Sequence, residues 1–316
     1  MYKYIVNRIL LMIPVLLGVI LVVYFIMDLS PVNPAQLILG DGATPEAIAQ
    51  KEEELGLNDP FLVRYVKYVF NLLTGDMGDS WKDGTPVFDK IMERLSNTVV
   101  LAVTSIILAL LIGIPLGIIC AKHQNKFIDN FTMIVALAGI SMPLFWLALM
   151  LVLVFSVNLR WLPSSGFNTE SLATMIKSMI LPVASLTTLP AAMITRMTRS
   201  SMLEVIRADY IDTARAKGLK ESVITMRHML SNALIPIITI AGLQFGQALS
   251  GAILTETVFS WPGIGRLAVE SIKMKDAQTV LGCVVVISIM FSLVNLIVDL
   301  LYAFVDPRIK ARYKGK

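Results

Sequence analysis

Six stretches of this chain carry no charged side chain for 18 residues or more: Ile9 to Met27, Leu95 to Ala121, Phe131 to Leu159, Ser178 to Thr195, His228 to Thr255 and Ala277 to Val298. A helix rises about 1.5 Å per residue, so roughly 20 apolar residues cross the hydrocarbon core of a bilayer. The pattern predicts an all-α membrane protein with six transmembrane helices. A mean hydropathy of +0.73, with only 16% of residues charged, agrees with it. It excludes a soluble enzyme, a disulfide-stapled secreted domain and a nucleic-acid binder, whatever a pI of 9.0 suggests. Cys120 and Cys283 both fall inside spans and read as small apolar packing residues, so no redox or metal framework is expected.

The first stretch follows Lys3 and Arg8, as a signal peptide would. It runs for 19 residues with no small-residue cleavage pattern after it, so it is expected to be retained. Basic residues concentrate in loops that stay in the cytosol. With the N-terminus inside, residues 1–8, 122–130, 196–232 and 305–316 hold 16 basic and 6 acidic residues, while the rest holds 11 and 17. That asymmetry predicts N-in and C-in, and it assigns the basic balance to topology on the lipid membrane, with no nucleic-acid partner.

Four regions follow: a tail with the first span over 1–27, an external helical segment over 28–94, a membrane core over 95–304, and a basic cytosolic tail over 305–316. In the external segment, Thr44-Pro45 can open a helix that Gly56 closes, and Asp59-Pro60 can open another. Leu62, Tyr65, Val66, Val69, Phe70 and Leu73 recur at three and four, giving the second of these a greasy face for membrane or neighbouring helices. Residues 196–232 form a second long polar piece, too polar to enter the bilayer.

The spans offer little for chemistry. There is no phosphate-cradling G-x-x-x-x-G-K-[ST], and both histidines, His123 and His228, lie at the cytosolic edge, so no intramembrane serine–base pair can be assembled. Asp299 is the one acid inside a helical run, and its position suggests an interfacial pair with Arg308 or Lys310. Helix packing is better marked. Ala109, Gly113 and Gly117, and likewise Gly242, Gly246 and Ser250, follow the small-xxx-small spacing, while Pro115, Pro143, Pro182 and Pro236 are expected to interrupt their spans.

The polar piece reads Arg199-Ser-Ser-Met-Leu-Glu-Val-Ile-Arg-Ala-Asp-Tyr-Ile-Asp-Thr-Ala-Arg-Ala-Lys-Gly218, then Arg227-His228 through Asn232-Ala233-Leu234-Ile235-Pro236. It resembles the permease loop of ATP-binding cassette (ABC) importers, E-A-A, three residues, G, nine residues, I-x-L-P. Asp212-Thr213-Ala214 stands for E-A-A, Gly218 is the glycine, and the stretch from His228 fills the last positions in the form used by peptide and nickel importers. Glu54 to Pro60, Gly75-Asp-Met-Gly78, Arg196 to Val205, Leu254 to Arg266 and Asp306-Pro-Arg308 also look like the first permease subunit of dipeptide and oligopeptide importers, closest to the dipeptide branch.

The resemblance implies a non-catalytic subunit of a bacterial or archaeal cytoplasmic membrane, forming half of a path for di- and oligopeptides. It implies a second homologous permease, two ABC ATPase subunits that carry ATP and Mg, and an extracytoplasmic substrate-binding protein; this chain itself would bind no cofactor. The ATPase-coupling loop would comprise Glu204, Tyr210, Asp212, Thr213, Ala214, Arg215, Ala216, Lys217, Gly218, His228 and Asn232. Residues 203–217 are good helix formers, and Leu203, Ile206, Tyr210, Ala214 and Lys217 recur at three and four, which predicts one face suited to a groove before Gly218 turns the chain. After the fifth span, Glu256, Phe259, Ser260, Trp261, Pro262 and Gly263 predict either an interfacial aromatic anchor or, favoured here, a re-entrant scoop closing the outer mouth of the path. Nickel chelates and glutathione-like compounds are alternative cargoes. A stand-alone secondary transporter would need midplane charges that the spans do not offer.

Overall fold

The computed structural model describes residues 2–29, 32–40 and 42–305. Among them the chain is helical: α1 (Tyr2–Asp28), α2 (Pro34–Leu39), α3 (Pro45–Glu54), α4 (Phe61–Leu73), α5 (Val87–Lys122), α6 (Phe127–Ser141), α7 (Leu144–Leu151), α8 (Leu172–Ile206), α9 (Asp209–Ala216), α10 (Glu221–Val223), α11 (Ser231–Val258), α12 (Ile264–Lys273) and α13 (Ala277–Val305). Wider π-type turns extend α7 over Val152–Asn158 and join α10 to α11 over Ile224–Leu230. The basic tail beyond Val305 lies outside the described residues, and with it Asp306-Pro-Arg308 and the expected partners of Asp299.

Five described segments are long and apolar enough to cross a membrane: Ile9–Asp28, Val87–Lys122, Leu172–Ile206, Glu221–Leu249 and Ala277–Leu300. The expected third span, Phe131 to Leu159, is instead two helices, α6 and α7, meeting at 104°. Pro143 is the cause: the residue before a proline is pushed to extended backbone, and Met142, at φ −79° and ψ 128°, ends α6. Pro115, Pro182 and Pro236, expected to interrupt their spans likewise, sit inside continuous helices. The bent pair still advances steadily along α8. Asp129 pairs with Arg199, Gly139 lies against Thr188, and Ala148 packs with Leu181. Those contacts cover about 18 residues of α8, or roughly 27 Å, close to one hydrocarbon thickness. Taken as one broken crossing, the pair brings the number to six.

Two compact units emerge. The first holds Val99–Trp261 with residues 2–6 and 293–305, and α8 is its axis. Parallel α5 lies on α8 through its small residues. A Cβ at Gly113 would stand 2.8 Å from Ile194, and one at Gly117 2.5 Å from Thr198 and 2.7 Å from the Thr195 carbonyl. The glycines therefore let the backbones approach more closely than any larger residue allows, as their spacing predicts. Gly242 does the same against Val298 of α13. Thr187 donates across to the Ser105 carbonyl at 3.2 Å.

The second unit holds Asn7–Thr98 and Pro262–Ser292. Its external helices open and close where the sequence indicated: Thr44 caps α3 by accepting from the Ala47 N–H at 3.3 Å, and Gly56 takes φ +66°. The greasy residues of α4 divide. Tyr65 and Val69 join Tyr68 and Leu72 against Ile20, Leu281 and Val285, whereas Leu62, Val66, Phe70 and Leu73 stay exposed.

Candidate functional site

The loop joining α8 to the helix that begins at Glu221 is shorter than the polar piece it comes from. Backbone hydrogen bonding continues past the point where side chains turn polar, so α8 runs to Ile206 and only residues 207–220 are left between helices. The single helix expected over 203–217 is broken at Arg207-Ala208, with Ala208 extended at ψ 137°. Asp209 and Asp212 explain the break: acidic residues favour the start of a new helix, where the peptide dipole presents its positive end. The proposed continuous face is lost with it. Ala214 points inward, while Tyr210 and Lys217 are exposed.

Two residues seat α9. Ile211 and Ala214 are buried in one cluster with Met202 of α8 and with Ile224 and Met229 of the π-type turns. The helix therefore rests on the π-type turns that lead into α11, through a small apolar foot. At its end, the Gly218 N–H donates to the Arg215 carbonyl at 2.9 Å and the Leu219 N–H to the Ala214 carbonyl at 3.4 Å, the Schellman closure, which requires the left-handed residue supplied by Gly218 at φ +73°. Nothing lies within 4 Å of the position of a Cβ there. Glu204, Tyr210, Asp212, Thr213, Arg215, Ala216, Lys217 and Gly218 form the exposed side. Arg215 braces it, donating to Asp212 at 3.1 Å and to Glu221 at 2.9 Å; the Glu221 carboxylate above all raises the guanidinium's pKa. His228 lies half-buried in the π-type turns, and Asn232 donates to its carbonyl at 2.6 Å.

The segment after α11 is packed into protein. Glu256, Phe259 and Trp261 are buried. Trp261 packs against Phe167 with centroids 4.2 Å apart and ring planes tilted by 37°, its backbone N–H donates to the Glu256 carbonyl at 2.8 Å, and the Gly166 N–H donates to the Phe259 carbonyl at 2.8 Å. Aromatic rings used in this way are core, not an interfacial anchor. The segment is a tight turn with Ser260 at φ +50°, leading through Trp261, Pro262 and Gly263 into α12.

Two polar constructions escaped sequence reading. Near the α9 end of α8, Arg199 grips the fully buried Asp129 with Nε at 2.5 Å and Nη2 at 2.7 Å, and the Asn125 N–H adds a third bond to that carboxylate. In the second unit, buried Asp276 accepts from Ser80 Oγ at 2.6 Å, Trp81 N–H at 3.1 Å, and Thr279 Oγ1 and N–H at 2.6 and 3.3 Å. Beside it, Gln278 donates to the Met77 carbonyl at 2.6 Å, so close to Gly78 that a Cβ there would collide with its amide. This explains the glycine of the Gly75 to Gly78 motif. Both partnerships join residues far apart in sequence, and the only local signal is an acid at a helix start.

A bundle of apolar crossings carrying a short exposed helix on an apolar foot has the architecture of a multi-pass membrane protein. The comparisons agree. Residues 113–311 match the binding-protein-dependent transport system inner membrane component, and residues 1–102 match the N-terminal membrane component of such systems. The dipeptide transport system permease protein DppB of Alkalihalophilus pseudofirmus is 46% identical over 98% of this chain and all of its own length. The oligopeptide transport system permease protein AppB of Bacillus subtilis is 42% identical with the same coverage. Among solved structures, a chain of the inward facing MetNI methionine ABC transporter aligns with a TM-score of 0.54 and 17% identity, over 68% of this chain and 96% of that one, a likeness of fold. The chain belongs to the family of binding-protein-dependent transport system inner membrane components, the multi-pass permeases of ABC importers.

Proposed function

We propose that this permease forms half of the translocation path for dipeptides and short oligopeptides, paired with a second homologous permease. Two ABC ATPase subunits bind ATP and Mg, and an external binding protein delivers the peptide to the outer face, where the segment over 28–94 helps to receive it. The N- and C-termini lie in the cytosol, as the distribution of basic residues favours. The observation that carries the proposal is the seat of α9. Its outer side is polar and exposed, while its inner side, Ile211 and Ala214, is packed on the π-type turns that lead into α11. An ATPase surface that holds the outer side moves α11 through the foot, by rigid-body displacement of packed helices. Such a motor biases the path only through differential contact with its two states; a shift from 1:99 to 99:1 takes about 5.5 kcal/mol.

Affinity purification of the tagged chain from native membranes tests the assembly. Recovery of a second permease and ATPase subunits, lost when Ile211→Asp expels α9 from its seat, is the expected result. Recovery of the chain alone would overturn it.

A further inference from the structure

α11 presents one outer face that differs from those of the other spans in its unit. Ile235, Thr239, Leu243, Gln247, Leu254 and Thr257 fall within a stripe about 120° wide at 100° per residue, and all are exposed or half-exposed. The matching faces elsewhere are aliphatic or aromatic apart from hydroxyls such as Thr104 and Ser141: Ile107 and Leu111 on α5, Phe131 and Ile134 on α6, Leu293 and Ile297 on α13. Side chains of that kind suit lipid. Gln247 does not. It stands within about 5 Å of the midpoint of α11 by helical rise, at a depth where an amide facing hydrocarbon has no partner and is costly.

The two threonines of the stripe satisfy themselves, Thr239 to the Ile235 carbonyl at 2.8 Å and Thr257 to the Ile253 carbonyl at 2.7 Å. Gln247 is held differently. Gln244, only 2% exposed, donates through Nε2 to Gln247 Oε1 at 3.1 Å. Among the described residues the buried Oε1 of Gln244 has no hydrogen-bond partner, and Gln247 itself is exposed. Gln244 thus holds an exposed primary amide in the stripe, a group that can both donate and accept hydrogen bonds as a peptide bond does.

We infer that this stripe lines the aqueous translocation path and that Gln247, positioned by Gln244, is a contact for the backbone amides of the passing peptide. Reading the backbone and not the side chains suits a carrier of peptides of varied sequence. The inference rests on the proposed peptide cargo for its second half only; exposure to water is independent of cargo.

The test uses the full complex in proteoliposomes, with Cys120 and Cys283 replaced by Ala. Gln247→Cys and Leu243→Cys are expected to react with a membrane-impermeant thiol reagent at least tenfold faster than Leu111→Cys or Ile134→Cys. Equal rates, or no reaction at Gln247→Cys, would overturn the path assignment. In the unaltered background, Gln247→Leu is expected to lower uptake of a labelled dipeptide at least fivefold through a raised KM. Unchanged uptake would overturn the backbone contact. If the wild-type complex carries no peptide, the cargo proposal fails, and the thiol rates alone still decide whether the stripe meets water.

Discussion

Asp276→Ala should release the loop that carries Trp81 from the α12–α13 turn. The carboxylate accepts four hydrogen bonds, and its removal orphans three buried donors: Ser80 Oγ, Thr279 Oγ1 and the Thr279 N–H. An unsatisfied buried donor costs roughly 1–3 kcal/mol, and some hydroxyl rotation offsets the total, so about 3–6 kcal/mol of local stability is lost. A factor of ten for every 1.4 kcal/mol converts this to roughly 10²–10⁴ in the population of the opened loop. Lys82 is exposed at the tip of that loop, which is closed by the Ser80 N–H to Thr85 carbonyl and Gly84 N–H to Ser80 carbonyl bonds, so trypsin needs an opening to cut there. With reclosing faster than cleavage, the cutting rate follows the opened population. The assay is the initial rate of cleavage after Lys82 in the purified complex, with Asp276→Asn, which keeps one acceptor oxygen, expected to fall between wild type and Asp276→Ala. A rise of less than tenfold in Asp276→Ala would refute the claim that this carboxylate holds the loop.

Gly117→Ala places a methyl 2.5 Å from Thr198 Cβ, where about 3.5–4.0 Å is needed. α5 and α8 must part by about 1 Å, costing roughly 2–3 kcal/mol and lowering the melting temperature of the detergent-solubilised complex, whereas Gly139→Ala, 3.2 Å from a threonine methyl, should melt closer to wild type. Asp129→Ala strands Arg199 and should destabilise by about 3–5 kcal/mol; adding Arg199→Leu should recover most of that loss in the same melt. Gly218→Val forces a β-branched residue to φ +73° at a cost of about 1–3 kcal/mol in a place with room for the side chain, so the chain should insert but α9 should fray. Peptide uptake per ATP hydrolysed, measured in vesicles, should fall at least tenfold.

What the sequence could convey follows from the range of the forces involved. The crossings were legible because membrane insertion is decided by summed hydropathy, and Gly113 and Gly117 because close helix approach admits few residue types. Gly218 was legible as a stop because a left-handed cap is local. The bend at Pro143 was not separable from Pro115, Pro182 or Pro236, since all four remove one backbone donor and only the surrounding packing decides whether the helix continues. The face assigned to residues 203–217 failed because helical periodicity cannot register a two-residue break, although Asp209 at the new start was a usable sign. Phe259 and Trp261 left an interfacial anchor and a protein-enclosed scoop both open because their partners, Leu181 and Phe167, lie far back in the chain. Asp129 and Asp276 found their partners at separations of 70 and 196 residues, beyond any local pattern.

The central claim, that this chain is the passive half-path of an ATP-driven peptide importer, is tested most directly in proteoliposomes holding the purified complex. With binding protein and a labelled dipeptide on the receiving side, the account predicts accumulation that requires ATP on the opposite side, stops with a non-hydrolysable nucleotide, and is indifferent to collapse of proton and sodium gradients. Accumulation driven by an ion gradient in the absence of ATP would contradict it.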